Sequence, residues 1–265
     1  MRGFSQVFTI VLFLSPAAWS QPAAAPTQVP GYLTSAQTSE VVRIVPGAPM
    51  SGDPRFQTDM AIFHSTRSLE GSARWRLARS DDSLSLAGLL YAFRCALGLT
   101  LTPDDAPKLT VLLTRANSDA YSAANVIKIR YQHKRPFQVA EGDVCVSPSG
   151  KAALERSPDY PSGHTALSWE TGLMLSQLVP DKAVDLLARA RAFGQSRVVC
   201  GVHNLSAVEA GWMTATAVFA MQMSSPEFRK DLDAARTEFA SLRGATKAKP
   251  AGCEVESRTL SNNPY

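Results

Sequence analysis

Apolar residues recur along the chain at helical spacing, one stretch after another, with proline and glycine standing between them. Asp53-Pro54 reads as a cap followed by the first helical position, and residues 55–79 carry Phe56, Met60, Ile62, Phe63 and Leu69 among charges. Leu84 to Leu97 repeats apolar residues densely and closes at Gly98. Residues 102–126 open with Thr-Pro-Asp-Asp, a helix entry, and run on through Leu109, Val111, Leu112 and Leu113. Residues 137–162, with Pro148, Gly150, Pro158 and Pro161, keep no period and read as loop.

The helical pattern resumes at Gly163 and runs to Val179, restarts at Pro180-Asp181 and heads toward Gly194. Residues 203–222 are rich in small side chains, Ala207, Ala210, Gly211, Ala215, Ala217 and Ala220. Small side chains let helix backbones approach closely, so this helix is expected at the centre. Glu227 to Leu242 alternates charge and apolar positions as a surface helix does. No alternating strand run, hairpin turn pair or internal repeat occurs. The pattern predicts an all-α protein, a single helical-bundle domain of about seven helices over residues 55–242.

The two ends read differently. Arg2, the apolar run Val7–Leu14 and the small residues after Pro16 have the layout of a secretory signal peptide, here residues 1–20, too short to span a bilayer. Cleavage after Ser20 and after Ala25 both fit. Residues 21–54 hold six prolines and read as an extended arm, and residues 243–265 as a polar tail. No later stretch reaches the roughly 18 apolar residues of a membrane helix. A periplasmic or secreted location follows. A net charge of +4 with no basic block interleaved with aromatics argues against a nucleic-acid partner. Cys95, Cys145, Cys200 and Cys253 form an even set in an exported chain, which suggests two disulfides. Three pairings are open; Cys200 with Cys253 and Cys95 with Cys145 is the one favoured. With no C-x-x-C spacing, no metal site is expected.

Three segments carry candidate chemistry. Lys128-Ile-Arg-Tyr-Gln-His-Lys-Arg135-Pro136 is a cationic cluster, in which lysine offers a point charge and arginine a planar fork for two phosphate oxygens. Pro161-Ser162-Gly163-His164 stands where a helix begins, so its unpaired N–H groups form a ready anion site that Gly163 leaves uncovered. Ser196-Arg197 lies just ahead of His203. Each segment alone is compatible with a solvated face or a structural histidine. Together they gather three of the chain's four histidines.

In combination the segments resemble the signature of the phosphatidic-acid-phosphatase type 2 (PAP2) superfamily: Lys, six residues, Arg-Pro; then Pro-Ser-Gly-His; then Ser-Arg, five residues, His, three residues, Asp. Tyr160 to Ala166, Gly194 to Val198 and Cys200 to His203 resemble its soluble branch, the bacterial class A non-specific acid phosphatases. The resemblance covers roughly residues 50–225. It implies a phosphatase acting on small phosphomonoesters without a cofactor or metal. His203 would attack phosphorus and become a phosphohistidine, and His164 would serve as general acid and then base. Lys128, Arg135, Arg197, Ser162 and Gly163 would hold the phosphate. The resemblance also implies a homodimer. His133 falls at a free position of the signature and receives no role.

One position departs from the pattern. The Asp that should steer the nucleophilic histidine is Ala207. On a helix Ser206 lies about 60° round the axis from His203, so Ser206 or a backbone carbonyl is the expected orienter. The missing Asp leaves a weakened enzyme or a non-catalytic phosphate-binding homologue as the alternative, with a vanadate-dependent haloperoxidase as a further one.

Overall fold

A computed structural model describes residues 29–244 and 250–265. Among them are eleven α-helices and no strand. The signal-peptide reading falls outside the described residues. The helices are α1 (Ser35–Glu40), α2 (Pro54–Arg67), α3 (Ala73–Ser80), α4 (Leu86–Leu97), α5 (Pro107–Tyr131), α6 (Pro148–Glu155), α7 (Gly163–Leu178), α8 (Ala183–Val199), α9 (Leu205–Gln222), α10 (Pro226–Gly244) and α11 (Cys253–Leu260).

The seven expected helices are present, and four short ones had no periodic signal. α3 separates from α2 at a turn where Gly71 takes a φ of +73°, a left-handed conformation that glycine adopts without penalty. α6 sits inside the segment read as loop, its Ser147 side chain accepting from Gly150 N–H. α1 lies in the expected arm, closed by a Thr34–Gln37 capping box, and α11 in the expected polar tail. One or two turns cannot display a 3.6-residue period, so capping chemistry and tertiary contacts decide such elements. Thr102-Pro-Asp-Asp forms a 3-10 turn, with α5 starting only at Pro107.

α5, α7, α8 and α9 form the centre. Side chains built at Gly172, Gly194 and Gly211 would collide: Gly172 with Ala190 at 2.6 Å, Gly194 with Thr165 and Trp212 at 2.9 Å, Gly211 with the Ser162 carbonyl at 2.8 Å. The small residues of α9 thus let it lie directly on the start of α7. α10 buries Phe228, Leu232, Ala235 and Phe239 against the main core, with Leu109, Leu112 and Leu113 of α5.

The two disulfides are Cys95–Cys253 and Cys145–Cys200, which corrects the expected pairing. Cys253 opens α11 and meets α4, so the chain end folds back on the bundle. Cys145 meets Cys200, whose carbonyl also accepts from Cys145 N–H, bracing the turn three residues ahead of His203. Linear order could not disclose this, because a disulfide follows Cα proximity. Replacing Cys145 and Cys200 together by Ala is expected to cost about 2–4 kcal/mol and to lower turnover. The Cys95/Cys253 double variant should lose stability with turnover nearly intact. Denaturant titration beside steady-state kinetics checks both.

Candidate active site

The three segments meet at one end of the bundle. Lys128 stands in the last turn of α5, its ammonium donating to the Pro158 carbonyl. Arg135 follows in the loop and is buried, 2% exposed. Its Nε donates to the carbonyls of Leu154 and Ser157 at 3.0 and 2.8 Å, and its Nη1 to the Val202 carbonyl at 2.6 Å. Held so, the same Nη1 reaches His203 Nε2 at 3.1 Å. Ser162 caps α7, its hydroxyl accepting from Thr165 N–H and Thr165 Oγ1. Ser162 N–H donates to the Ala207 carbonyl at 2.8 Å, tying α7 to the first turn of α9. A methyl built on Gly163 would meet nothing within 4 Å, so this helix start faces open space.

His203 lies in the turn between α8 and α9 and is 2% exposed. Its Nδ1 is 2.8 Å from Asp159 Oδ1. An ionised carboxylate only accepts, so Nδ1 carries the proton and Nε2 keeps its lone pair. Asp159 is fully buried and receives three more contacts: Asn204 N–H at 3.3 Å, Asn204 Nδ2 at 2.8 Å and His133 Nδ1 at 3.3 Å. Burial would raise its pKa, but the bonds from His133 and His203 prevail and hold it far below the usual carboxylate range. Burial first, then the neighbouring Arg135, keep His203 well below an ordinary histidine and therefore neutral.

Asp159 therefore accepts the Nδ1 proton, and Ser206 does not. Ser206 gives its N–H and its hydroxyl to Asp59, at 2.9 and 2.5 Å. α9 starts at Leu205, and its first N–H groups need an acceptor, which Asp59 of the sequence-distant α2 supplies. Sequence reasoning missed Asp159. Its one visible trace is an acidic residue directly ahead of the Tyr160-Pro-Ser-Gly-His run.

On the opposite side stand Arg197 and His164. Arg197, at the end of α8, is fully buried, with Nη1 on the Asp81 carbonyl at 3.2 Å and Nη2 on Asp82 Oδ1 at 2.7 Å. Its Nε is buried with no hydrogen-bond partner, a donor left for something else. His164 Nε2 donates to the Asp82 carbonyl at 3.0 Å. Ser196 donates to Asp81 at 2.6 Å, and Asp81 also pairs with Arg189, so this serine fixes α8 against the end of α3. Two neutral imidazoles, two guanidiniums, an ammonium and a helix start thus line one place, which suits a multiply charged oxyanion.

Comparison with known proteins places the chain. Residues 108–230 match the model of the PAP2 superfamily. The chain is 38% identical over 195 residues to an acid phosphatase of Zymomonas mobilis, covering 74% of both chains. It is 35% identical to a non-specific acid phosphatase of Providencia stuartii, covering 80% of this chain and 86% of the relative. It is 31% identical to one of Salmonella typhi, covering 86% and 91%. The chain belongs to the PAP2 superfamily. Within it, the fold, the matched motifs and these relatives make it an acid phosphatase of the bacterial class A type. No helix among the described residues is long and apolar enough to cross a membrane.

The charge of this site depends on pH. Burial, and then Arg135, bring Lys128 down to about 7. Burial and Arg197 bring His164 to about 4, against the opposing pull of Asp82. Both groups are charged only below these values, so raising the pH removes positive charge from the cluster. For the free enzyme kcat/KM is expected to fall more than about tenfold between pH 5 and 8. Lys128→Arg, whose cation does not titrate there, should move that limb upward. A kcat/KM profile of both forms, with the pH dependence of inhibition by inorganic phosphate, checks this.

Proposed function

We propose that the chain is an exported acid phosphatase that hydrolyses small phosphate monoesters through a phosphohistidine on His203. The observation that carries the reading is the polarity of that ring: Nδ1–H on Asp159, and a lone pair on Nε2 beside Arg135. A neutral imidazole held this way is a nucleophile aimed among cations. In the first step Nε2 bonds to phosphorus as the ester P–O bond breaks. His164, protonated at Nδ1, gives that proton to the departing alkoxide. In the second step His164 takes a proton from water, whose oxygen attacks the phosphohistidine and frees His203 and phosphate.

Charge on the three equatorial oxygens would be met by Lys128, Arg135 and the unpartnered Nε of Arg197, with the Ser162 hydroxyl and Gly163 N–H. The phosphate dianion itself raises the pKa of His164 on binding, which charges the acid when it is needed. The carboxylate absent at Ala207 is supplied by Asp159, buried and 2.8 Å from Nδ1, which supports turnover over a non-catalytic binder. Two disulfides beside the apolar N-terminal run support export to the periplasm or beyond.

The test is rapid quenching with a labelled phosphomonoester. A base-stable, acid-labile label that maps to His203 supports the reading. Full turnover with no label on any histidine overturns it.

A further inference from the structure

Resting on that reading, we propose that His133 is a positioning residue for the nucleophile: as an imidazolium it grips the second oxygen of Asp159, forming a His133–Asp159–His203 chain whose tightness depends on the His133 proton. His133 falls at a free position of the signature, and its hydrogen bonds go to Pro49 and Asp159.

The geometry carries the argument. Both nitrogens of His133 face acceptors: Nε2 lies 2.9 Å from the Pro49 carbonyl, and Nδ1 lies 3.3 Å from Asp159 Oδ2. A neutral ring has one N–H and satisfies one of these, so both contacts are made only by the doubly protonated form. The two residues are also joined through the backbone, Asp159 N–H donating to the His133 carbonyl at 2.7 Å. The carboxylate is therefore clamped from one side by His133 and from the other by His203 and Asn204. The charged and titratable groups facing His133 are Asp159, Asp59 and the Tyr160 ring, and both carboxylates favour its protonated form. Its pKa is raised, first by the Asp159 hydrogen bond, against burial.

The sign follows. Below its raised pKa His133 holds Asp159, and Asp159 holds the Nδ1 proton of His203. Above it, the surviving N–H goes to one acceptor only. If it stays on Pro49, the Nδ1 lone pair faces the carboxylate and Asp159 loses that support. The contact also reaches outward, because Pro49 and Pro46, whose carbonyl accepts from Tyr160 Oη at 2.6 Å, belong to the segment ahead of α2.

The experiment joins histidine ¹⁵N NMR of the resting protein with kinetics of His133→Ala and His133→Gln. The chain has four histidines, so assignment by single substitution is practical. Expected are a His133 signal with both nitrogens protonated to a higher pH than an ordinary histidine and a neutral, Nδ1-protonated His203. His133→Ala should lower kcat about tenfold with KM within about threefold and move the upper limb of the kcat profile. His133→Gln, with a pH-independent amide donor, should recover most of kcat without the His133 limb. Unchanged kcat and limb in both variants, even with a lowered Tm, would mean a structural role only and overturn the proposal. If the wild-type enzyme forms no phosphohistidine, the catalytic reading fails separately. The His203 tautomer in His133→Ala then decides, an unaltered ¹⁵N pattern overturning the positioning role.

Discussion

Asp159→Asn is expected to lower kcat by about a thousandfold while leaving the fold intact, by analogy with the loss of the orienting carboxylate from a catalytic triad. The carboxylate takes four donors, two on each oxygen: His203 Nδ1 and Asn204 N–H on Oδ1, Asn204 Nδ2 and His133 Nδ1 on Oδ2. An amide has one acceptor and one donor end. With its oxygen toward His203, its NH₂ meets the donors of Asn204 and His133. Turned round, its NH₂ faces His203 Nδ1, which must then give up its proton to Nε2 and with it the attacking lone pair. Either arrangement penalises the reactive tautomer. KM should change little, because Asp159 does not line the open face of the site.

The companion variant separates orientation from general damage. Ala207→Asp in the Asp159→Asn background puts a carboxylate back where the PAP2 signature has one and should restore at least about tenfold. In the wild-type background the same change should lower activity, because Ala207 is fully buried and a second carboxylate would compete with Asp159 for one N–H. Steady-state kinetics with Tm for the three variants checks this. A kcat for Asp159→Asn within threefold of wild type would exclude Asp159 as orienter.

His203→Ala should abolish hydrolysis, a loss of at least about 10⁴, together with every trace of covalent label. Water would then have to attack directly, without the division of one displacement into two. Phosphate binding should persist, since the buried cations Arg135 and Arg197 are held by carbonyls and by Asp82 independently of the His203 ring. Asp159 would keep its bonds from Asn204 and His133, so the carboxylate is not stranded. Retained affinity for inorganic phosphate by calorimetry, with activity gone, is the expected pair of results. Residual turnover above about 1% of wild type would point to another nucleophile.

Much of this was legible in the linear chain, for physical reasons. The long helices announce themselves in two ways: α4 and α10 because an amphipathic face repeats every 3.6 residues, and α7 and α9 because they are long runs of small and apolar residues buried nearly all round. The candidate site was legible because its parts are short contiguous motifs: a helix start with Ser162 and Gly163, Arg135 fixed ahead of Pro136, and Arg197 six positions before His203. In such motifs the residues that act and the backbone that positions them are neighbours.

What depended on distant contacts was not legible. Asp159 reaches His203 across 44 positions of chain, and its neighbour Ala207 stands where a local reading seeks the carboxylate. Ser206 has the right helical angle, yet Asp59, 147 positions away, occupies it first. Cysteine pairing and the burial that makes His203 neutral likewise depend on which helices meet. The sequence by itself determined an all-α PAP2 phosphatase and the short motifs that carry its cations and histidines. Only the tertiary structure decided which carboxylate accepts the Nδ1 proton of His203, because a hydrogen bond answers to distance in space, and the packing of α9 on the start of α7 brings the segment between α6 and α7 beside His203.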